Sequence, residues 1–148
     1  MAFKFDIGDS KNKKTYHLEA EAEALIGMKI GETVKGEDIK PELSGAEFII
    51  TGMSDKAGFP SLKTAEGVGL RRVLLKKGFS LHRLKKPKKT APRPDIHKGL
   101  RQRRTVRGNT VSTDTVQVNL RTVKSEKSIG ALLGKEDKPE AKEEKKAE

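Results

Sequence analysis

Hydrophobic and polar positions alternate most clearly at the start of the chain. Residues 2–7 (AFKFDI) put Phe3, Phe5 and Ile7 on one parity and Lys4 and Asp6 on the other, the period of a half-buried strand. Residues 8–14 then read as a turn and 15–18 as the second strand of a hairpin. Residues 19–26 (EAEAEALI) are strong helix formers closed by Gly27, which predicts a short helix. From 28 to 53 two short β-prone runs, 33–35 and 47–51, lie between Gly31, Gly36, Pro41, Gly45 and Gly52. Strands and turns spaced this closely predict a compact barrel or a strongly bent sheet, a small barrel-like domain that is mainly β. Phe48, Ile49 and Ile50 are consecutive, so that strand is expected to be central and covered on both faces.

The glycine-rich stretch 52–69 reads as largely loop. Val73, Leu74 and Leu75, framed by basic residues, predict a strand over 71–77. A Pro-containing arm follows at about 78–104, and the alternation in 105–111 and 115–123 predicts a closing hairpin turned at 112–114. Phe48, Ile50, Val118 and Leu120 are the expected core, with Ile129, Leu132 and Leu133 of the short run 128–134 packed onto it. Residues 135–148 (KEDKPEAKEEKKAE) have no apolar side chain larger than alanine and cannot offset their ordering entropy. The expected organisation is one domain over residues 1–134 and a disordered charged tail over 135–148.

Charge changes this picture more than composition does. With 33% hydrophobic and 4% aromatic residues, 148 residues allow only a modest core. The net charge of +11 is unevenly placed, at −3 over residues 1–53, +15 over 54–134 and −1 over 135–148. Residues 71–107 hold seven Lys, eight Arg and one acid, Asp95, which is +14 in 37 residues. That density repels itself in water and implies a polyanionic partner. Arginine is slightly more frequent than lysine there, and its planar fork suits phosphate. Pro87, Pro92 and Pro94 disfavour a basic helix and favour an extended arm. Phe79 is the only aromatic near the arm, so recognition of backbone and shape in folded RNA outranks base stacking on single strands.

Other chemistries lack their residues. Cysteine is absent, which removes disulfides, thiol nucleophiles and cysteine-held metals and is compatible with a reducing cytoplasm. His17, His82 and His97 have no acid at metal-ligand spacing and read as surface or RNA-contact residues. Gly67-Val68-Gly69 begins like a dinucleotide motif but lacks the third glycine, and no phosphate-binding loop follows. The acids of residues 19–47 read as a solvated face. The N-terminus has no signal-peptide run, and no stretch approaches the roughly 20 apolar residues of a membrane span.

Three elements in order carry a resemblance. They are Glu47-Phe48-Ile49-Ile50-Thr51-Gly52 followed by Ser54-Asp55-Lys56-Ala57-Gly58-Phe59-Pro60, then Arg71-Arg72-Val73-Leu74-Leu75-Lys76-Lys77-Gly78, then Arg103-Arg104-Thr105-Val106-Arg107-Gly108. From Phe3 to Gly134 the chain resembles the eukaryotic-type small-subunit ribosomal protein six, in its shorter archaeal form. The resemblance implies a structural constituent of the small ribosomal subunit, without enzymatic activity, cofactor or small-molecule substrate, whose partner is ribosomal RNA and which borders other ribosomal proteins. It also implies a cytoplasmic, ribosome-bound location. Eukaryotic members continue into a basic C-terminal helix with phosphorylated serines; here the last serine is Ser128, so that regulation does not carry over. Residues 55–60 correspond to the family's loop, with Phe59 either plugging the core or touching a base. The expected RNA-binding residues are Lys56, Arg71, Arg72, Lys76, Lys77, His82, Arg83, Lys85, Lys86, Lys88, Lys89, Arg93, Lys98, Arg101, Arg103, Arg104 and Arg107. The competing readings are an architectural DNA-binding protein, whose apolar minor-groove wedges the arm lacks, and an RNA-modifying enzyme, whose catalytic constellation is missing.

Overall fold

The computed structural model describes residues 2–76, 78–80, 101–125 and 129–133. Its strands are β1 (Ala2–Asp9), β2 (Lys14–Glu21), β3 (Thr33–Lys35), β4 (Ala46–Asp55), β5 (Leu70–Lys76), β6 (Arg101–Arg107) and β7 (Thr115–Ser125). A single-turn helix, α1 (Ile129–Leu132), and three 3-10 turns complete the described elements. Five strands form one sheet in the order β2-β1-β7-β4-β3, and β5 and β6 form a separate two-stranded ribbon. The mainly β expectation holds. The sheet is open: it ends on β2 and β3, and among the described residues no pairing joins those edges.

The N-terminal hairpin forms as the alternation predicts, with Phe5 opposite Leu18 and Ile7 opposite Tyr16. Phe3, Phe5, Ile7, Phe48, Ile50, Val118 and Leu120 are all buried, so the four expected core positions are in place. Their face is covered mainly by loops and short turns, through Leu25, Ile39, Leu43, Val111 and Ile129, with Leu132 and Leu133 packed at its margin. Full burial of each large aliphatic or phenylalanine side chain is worth about 1.5–3 kcal/mol, which lets short turns do the work of covering helices.

Three local expectations are corrected. The helix over 19–26 is absent: β2 runs to Glu21, and only Glu23–Leu25 form a 3-10 turn. Glutamate and alanine also alternate here, and pairing of Ala20 with Phe3 and Glu21 with Ala2 makes strand period prevail over helix propensity. The hairpin turned at 112–114 does not form either. β6 pairs backwards with β5, while β7 inserts between β1, in parallel, and β4, antiparallel. The turn itself exists, with the Thr115 amide donating to the Ser112 carbonyl over 3.0 Å, but it leads into the centre of the sheet. Finally, the strand at 47–51 continues to Asp55. It is interior, between β7 and β3, with Phe48 and Ile50 buried and Ile49 half-buried on the other face.

One irregularity in β4 matters for the site. Ile50 pairs with Leu120 and Gly52 with Asn119, so Thr51 is an extra residue. Such a bulge shifts side-chain parity by one. The buried positions pass from Phe48 and Ile50 to Met53 and Asp55, which turns a carboxylate inward.

Candidate nucleic-acid interface

The ribbon collects the described part of the basic stretch. Its register pairs Arg71 with Val106, Arg72 with Thr105, Val73 with Arg104, Leu74 with Arg103, Leu75 with Gln102 and Lys76 with Arg101. Residues directly opposite share a face and neighbours along a strand alternate. Arg72, Lys76, Arg101 and Arg103 therefore share one face with Leu70 and Leu74, while Arg71 and Arg104 share the other with Val73 and Leu75. Half-buried Val73, Leu75 and Gln102 and buried Val106 mark the second face as the inner one. On the outer face Leu70 and Leu74 are 50% and 55% exposed.

Three cations in β5 and four in β6, with no acid, occupy these strands. Arg71, Arg72, Lys76, Arg101, Arg103 and Arg104 are exposed and form no ion pair among the described residues. Like charges placed directly opposite, as at Lys76 and Arg101, each cost up to about 1 kcal/mol. The six cations thus gain nothing from each other and leave their donors open to solvent.

Arg107 stands apart from the other cations of the ribbon. It is buried, and its guanidinium pairs with Asp55, donates to Asp114 Oδ2 over 2.7 Å and donates to the Val68 carbonyl over 3.0 Å. Its donors are turned into the protein. Burial opposes its charge, but the hydrogen bonds to Asp114 and Asp55 outweigh it and hold the pKa above the ordinary arginine value. Lys56 is exposed but engaged, with its ammonium 2.8 Å from Asp114 Oδ1. The hydrogen bond to Asp114 raises the Lys56 pKa, and those to Lys56 and Arg107 lower that of Asp114. Asp55, Arg107, Asp114 and Lys56 form a chain of alternating charge. The signal for it was present in the sequence: only five acids stand in residues 54–134, and two of them are these.

The Asp55 loop is built around that chain. Asp55 Oδ1 accepts from the Ala57 amide over 3.2 Å, the Asp55 carbonyl accepts from Gly58 over 2.8 Å, and the Asp55 amide donates to the Phe59 carbonyl over 3.1 Å. Gly58 adopts φ +80° with open space where a Cβ would project, so the turn needs glycine for its conformation and not for packing within the chain. Phe59 is half-buried and outside the main hydrophobic cluster. The Gly67-Val68-Gly69 stretch has a packing role: the Gly108 amide donates to Gly69 over 3.1 Å, and a Cβ on Gly108 would lie 1.7 Å from the Gly67 oxygen. Lys77, His82, Arg83, Lys85, Lys86, Lys88, Lys89, Arg93 and Lys98 lie outside the described residues, as do most of the arm and the tail. No group of three or more metal-ligating side chains occurs among the described residues.

Comparison with known proteins decides the family. The family model described as ribosomal protein S6e matches residues 3–134. The chain belongs to the ribosomal protein S6e family. It is 41% identical over 124 residues to the small ribosomal subunit protein eS6 of Methanococcus maripaludis strain C5, covering 83% of this chain and 88% of the relative. It is 41% identical over 136 residues to that of Methanocaldococcus jannaschii, covering 90% and 92%. With that of Methanothermobacter thermautotrophicus it shares 39% over 139 residues, covering 93% and 99%. The S6e match runs from Phe3 in β1 past α1, so the Asp55 loop, the ribbon and the Gly108 contact all fall within the family region.

Proposed function

We propose that this S6e chain is a structural constituent of the small ribosomal subunit and takes part in translation by binding ribosomal RNA through its basic ribbon and the arm that continues it. The observation that carries the reading is the ribbon: six exposed cations on two paired strands with no acid among them. Residues four apart on a strand lie about 13 Å apart, so Arg72 and Lys76 set two cations along one face with Leu74 between them, and Arg101 and Arg103 double them across it. Arginine forks on such a frame suit phosphate oxygens and 2′-hydroxyls of folded RNA. The exposed leucines add apolar contact between the charges.

The contact residues are Arg71, Arg72, Lys76, Arg101, Arg103 and Arg104 in the ribbon, with Lys77, His82, Arg83, Lys85, Lys86, Lys88, Lys89, Arg93 and Lys98 extending the surface. Lys56 contributes at the margin, through the donors that Asp114 leaves free. Arg107 supports the surface from beneath. The domain spans residues 1–134, with 135–148 a charged tail that takes no part in RNA binding. The protein acts in the ribosome, in the cytoplasm, beside other ribosomal proteins and without catalysis.

Ultraviolet crosslinking and sedimentation test the proposal. A tagged chain is expected to sediment with small subunits and to crosslink to small-subunit RNA through residues 71–104. Sedimentation with chromatin would favour the DNA-binding reading. Crosslinks confined to the outer face of β1 and β2 would show that the ribbon is not the contact.

A further inference from the structure

We infer that the Asp55–Arg107–Asp114 cluster is a clamp that fixes the direction in which the basic ribbon leaves the sheet. The inference rests on the proposed RNA-binding reading only for its consequence, not for its geometry. A two-stranded ribbon is at best marginally stable alone, and this one pairs with no strand of the five-stranded sheet. Its root is the Leu70–Arg107 pair, and the chain beyond Lys76 and before Arg101 continues from the far end.

At the root, backbone and side chain meet on a single residue. The Arg107 amide donates to Pro60 over 3.0 Å, and its carbonyl accepts from Leu62 over 3.0 Å. The segment carrying those residues is tied to β4, because the Ser61 amide donates to the Met53 carbonyl over 2.9 Å. The guanidinium then reaches three other places: Asp55 at the end of β4, Asp114 in the turn entering β7, and Val68 just before β5. Both the strand that enters the ribbon and the strand that leaves it are thus held to β4 and to the turn entering β7, β4 and β7 being two of the three interior strands of the sheet. Side-chain exposures of 9% for Arg107 and 3% for Asp55 mean that the pair is shielded from competing water. Lysine carries the same charge, but its point ammonium cannot reproduce the planar fork that serves two carboxylates and a carbonyl.

With the ribbon's direction fixed, its six cations meet a shaped RNA surface together. With the direction loose, each cation would have to be ordered on binding, at a cost in affinity.

The test exploits the absence of cysteine. Spin labels on Leu74→Cys in the ribbon and Lys35→Cys in β3, both exposed positions, report the ribbon-to-sheet distance. In the parent background the distribution is expected to be narrow. Arg107→Lys is expected to broaden it at a temperature where circular dichroism shows the protein folded. It should also weaken binding to deproteinised, refolded archaeal small-subunit ribosomal RNA about tenfold. Should Arg107→Lys fail to fold, Asp114→Asn removes only the 40%-exposed carboxylate and is expected to broaden the distribution in the same sense. A distribution as narrow as the parent's in the folded variants, with only the melting temperature lowered, would overturn the clamp. Broadening with unchanged RNA affinity would uphold the clamp and sink the assignment of the ribbon as the RNA contact.

Discussion

Replacing Gly108 by alanine should be among the most damaging single-methyl changes available in this chain. The added Cβ would stand 1.7 Å from the Gly67 oxygen, 2.4 Å from its carbonyl carbon and 3.1 Å from the Val68 nitrogen. All three atoms are backbone, so no side chain can swing aside, and the 67–69 segment must move. That movement threatens three hydrogen bonds: Gly108 to Gly69 at 3.1 Å, Thr110 to Gly67 at 3.3 Å, and the Arg107 side chain to Val68 at 3.0 Å. Overpacking of this kind costs about 1–3 kcal/mol, and each weakened hydrogen bond adds about 0.5–1.5 kcal/mol. A total of about 2.5–7.5 kcal/mol is expected, a large part of the roughly 5–15 kcal/mol that holds a domain. Urea unfolding followed by circular dichroism measures it. Gly69→Ala is the control, because Gly69 has open space around its Cβ position and no positive φ. There the methyl should be neutral or stabilise by up to about 1 kcal/mol. Equal midpoints for the Gly108 and Gly69 variants would refute the close-approach argument.

Two further outcomes follow from the same geometry. Phe48→Ala should destabilise by about 3–5 kcal/mol, since Phe48 is fully buried in an interior strand; thermal melting within a degree or two of the parent would contradict its place in the core. The Asp114 carboxyl is held below its ordinary value of 3.8 by Lys56 and Arg107, so its stabilising effect is present above that value and fades as pH falls through 3.8 and then through the lower folded value. Parent and Asp114→Asn proteins should therefore differ in stability at neutral pH and converge on acidification, and a difference that is constant with pH would contradict the pairing.

Local periodicity carried the parts of the fold that it could. Phe3, Phe5 and Ile7 announced β1, and Val73 to Leu75 announced β5, because inward and outward positions alternate or cluster within a few residues. Helix propensity misled at residues 19–26, where Glu19, Ala20, Glu21 and Ala22 satisfy a two-residue period as well as a helical composition, and pairing with β1 decided between them. The β6–β7 hairpin failed for a different reason. Whether β7 turns back on β6 or threads between β1 and β4 depends on contacts between the two ends of the chain, and no local pattern encodes these. The candidate interface was legible as charge but not as geometry. Composition marked residues 71–107 as a candidate polyanion-binding stretch, yet it could not separate the six exposed cations from the buried Arg107. That distinction arises from the bulge at Thr51, which brings Asp55 inward to meet it.

The most direct test of the central claim is the salt dependence of binding to refolded small-subunit ribosomal RNA, compared between the parent and the Arg72→Gln, Lys76→Gln, Arg101→Gln, Arg103→Gln quadruple variant. Each phosphate engaged contributes a slope of about −0.7 to −0.9 in log affinity against log salt. If the ribbon and arm together engage about 6–10 phosphates, parent binding should weaken by roughly 10³–10⁵ between 50 and 200 mM salt. The variant's slope should be flatter by about two to four units, while its stability holds or rises, because substitution relieves the like-charge opposition of Lys76 and Arg101. A folded quadruple variant that keeps both the parent's affinity and its salt slope would contradict the account.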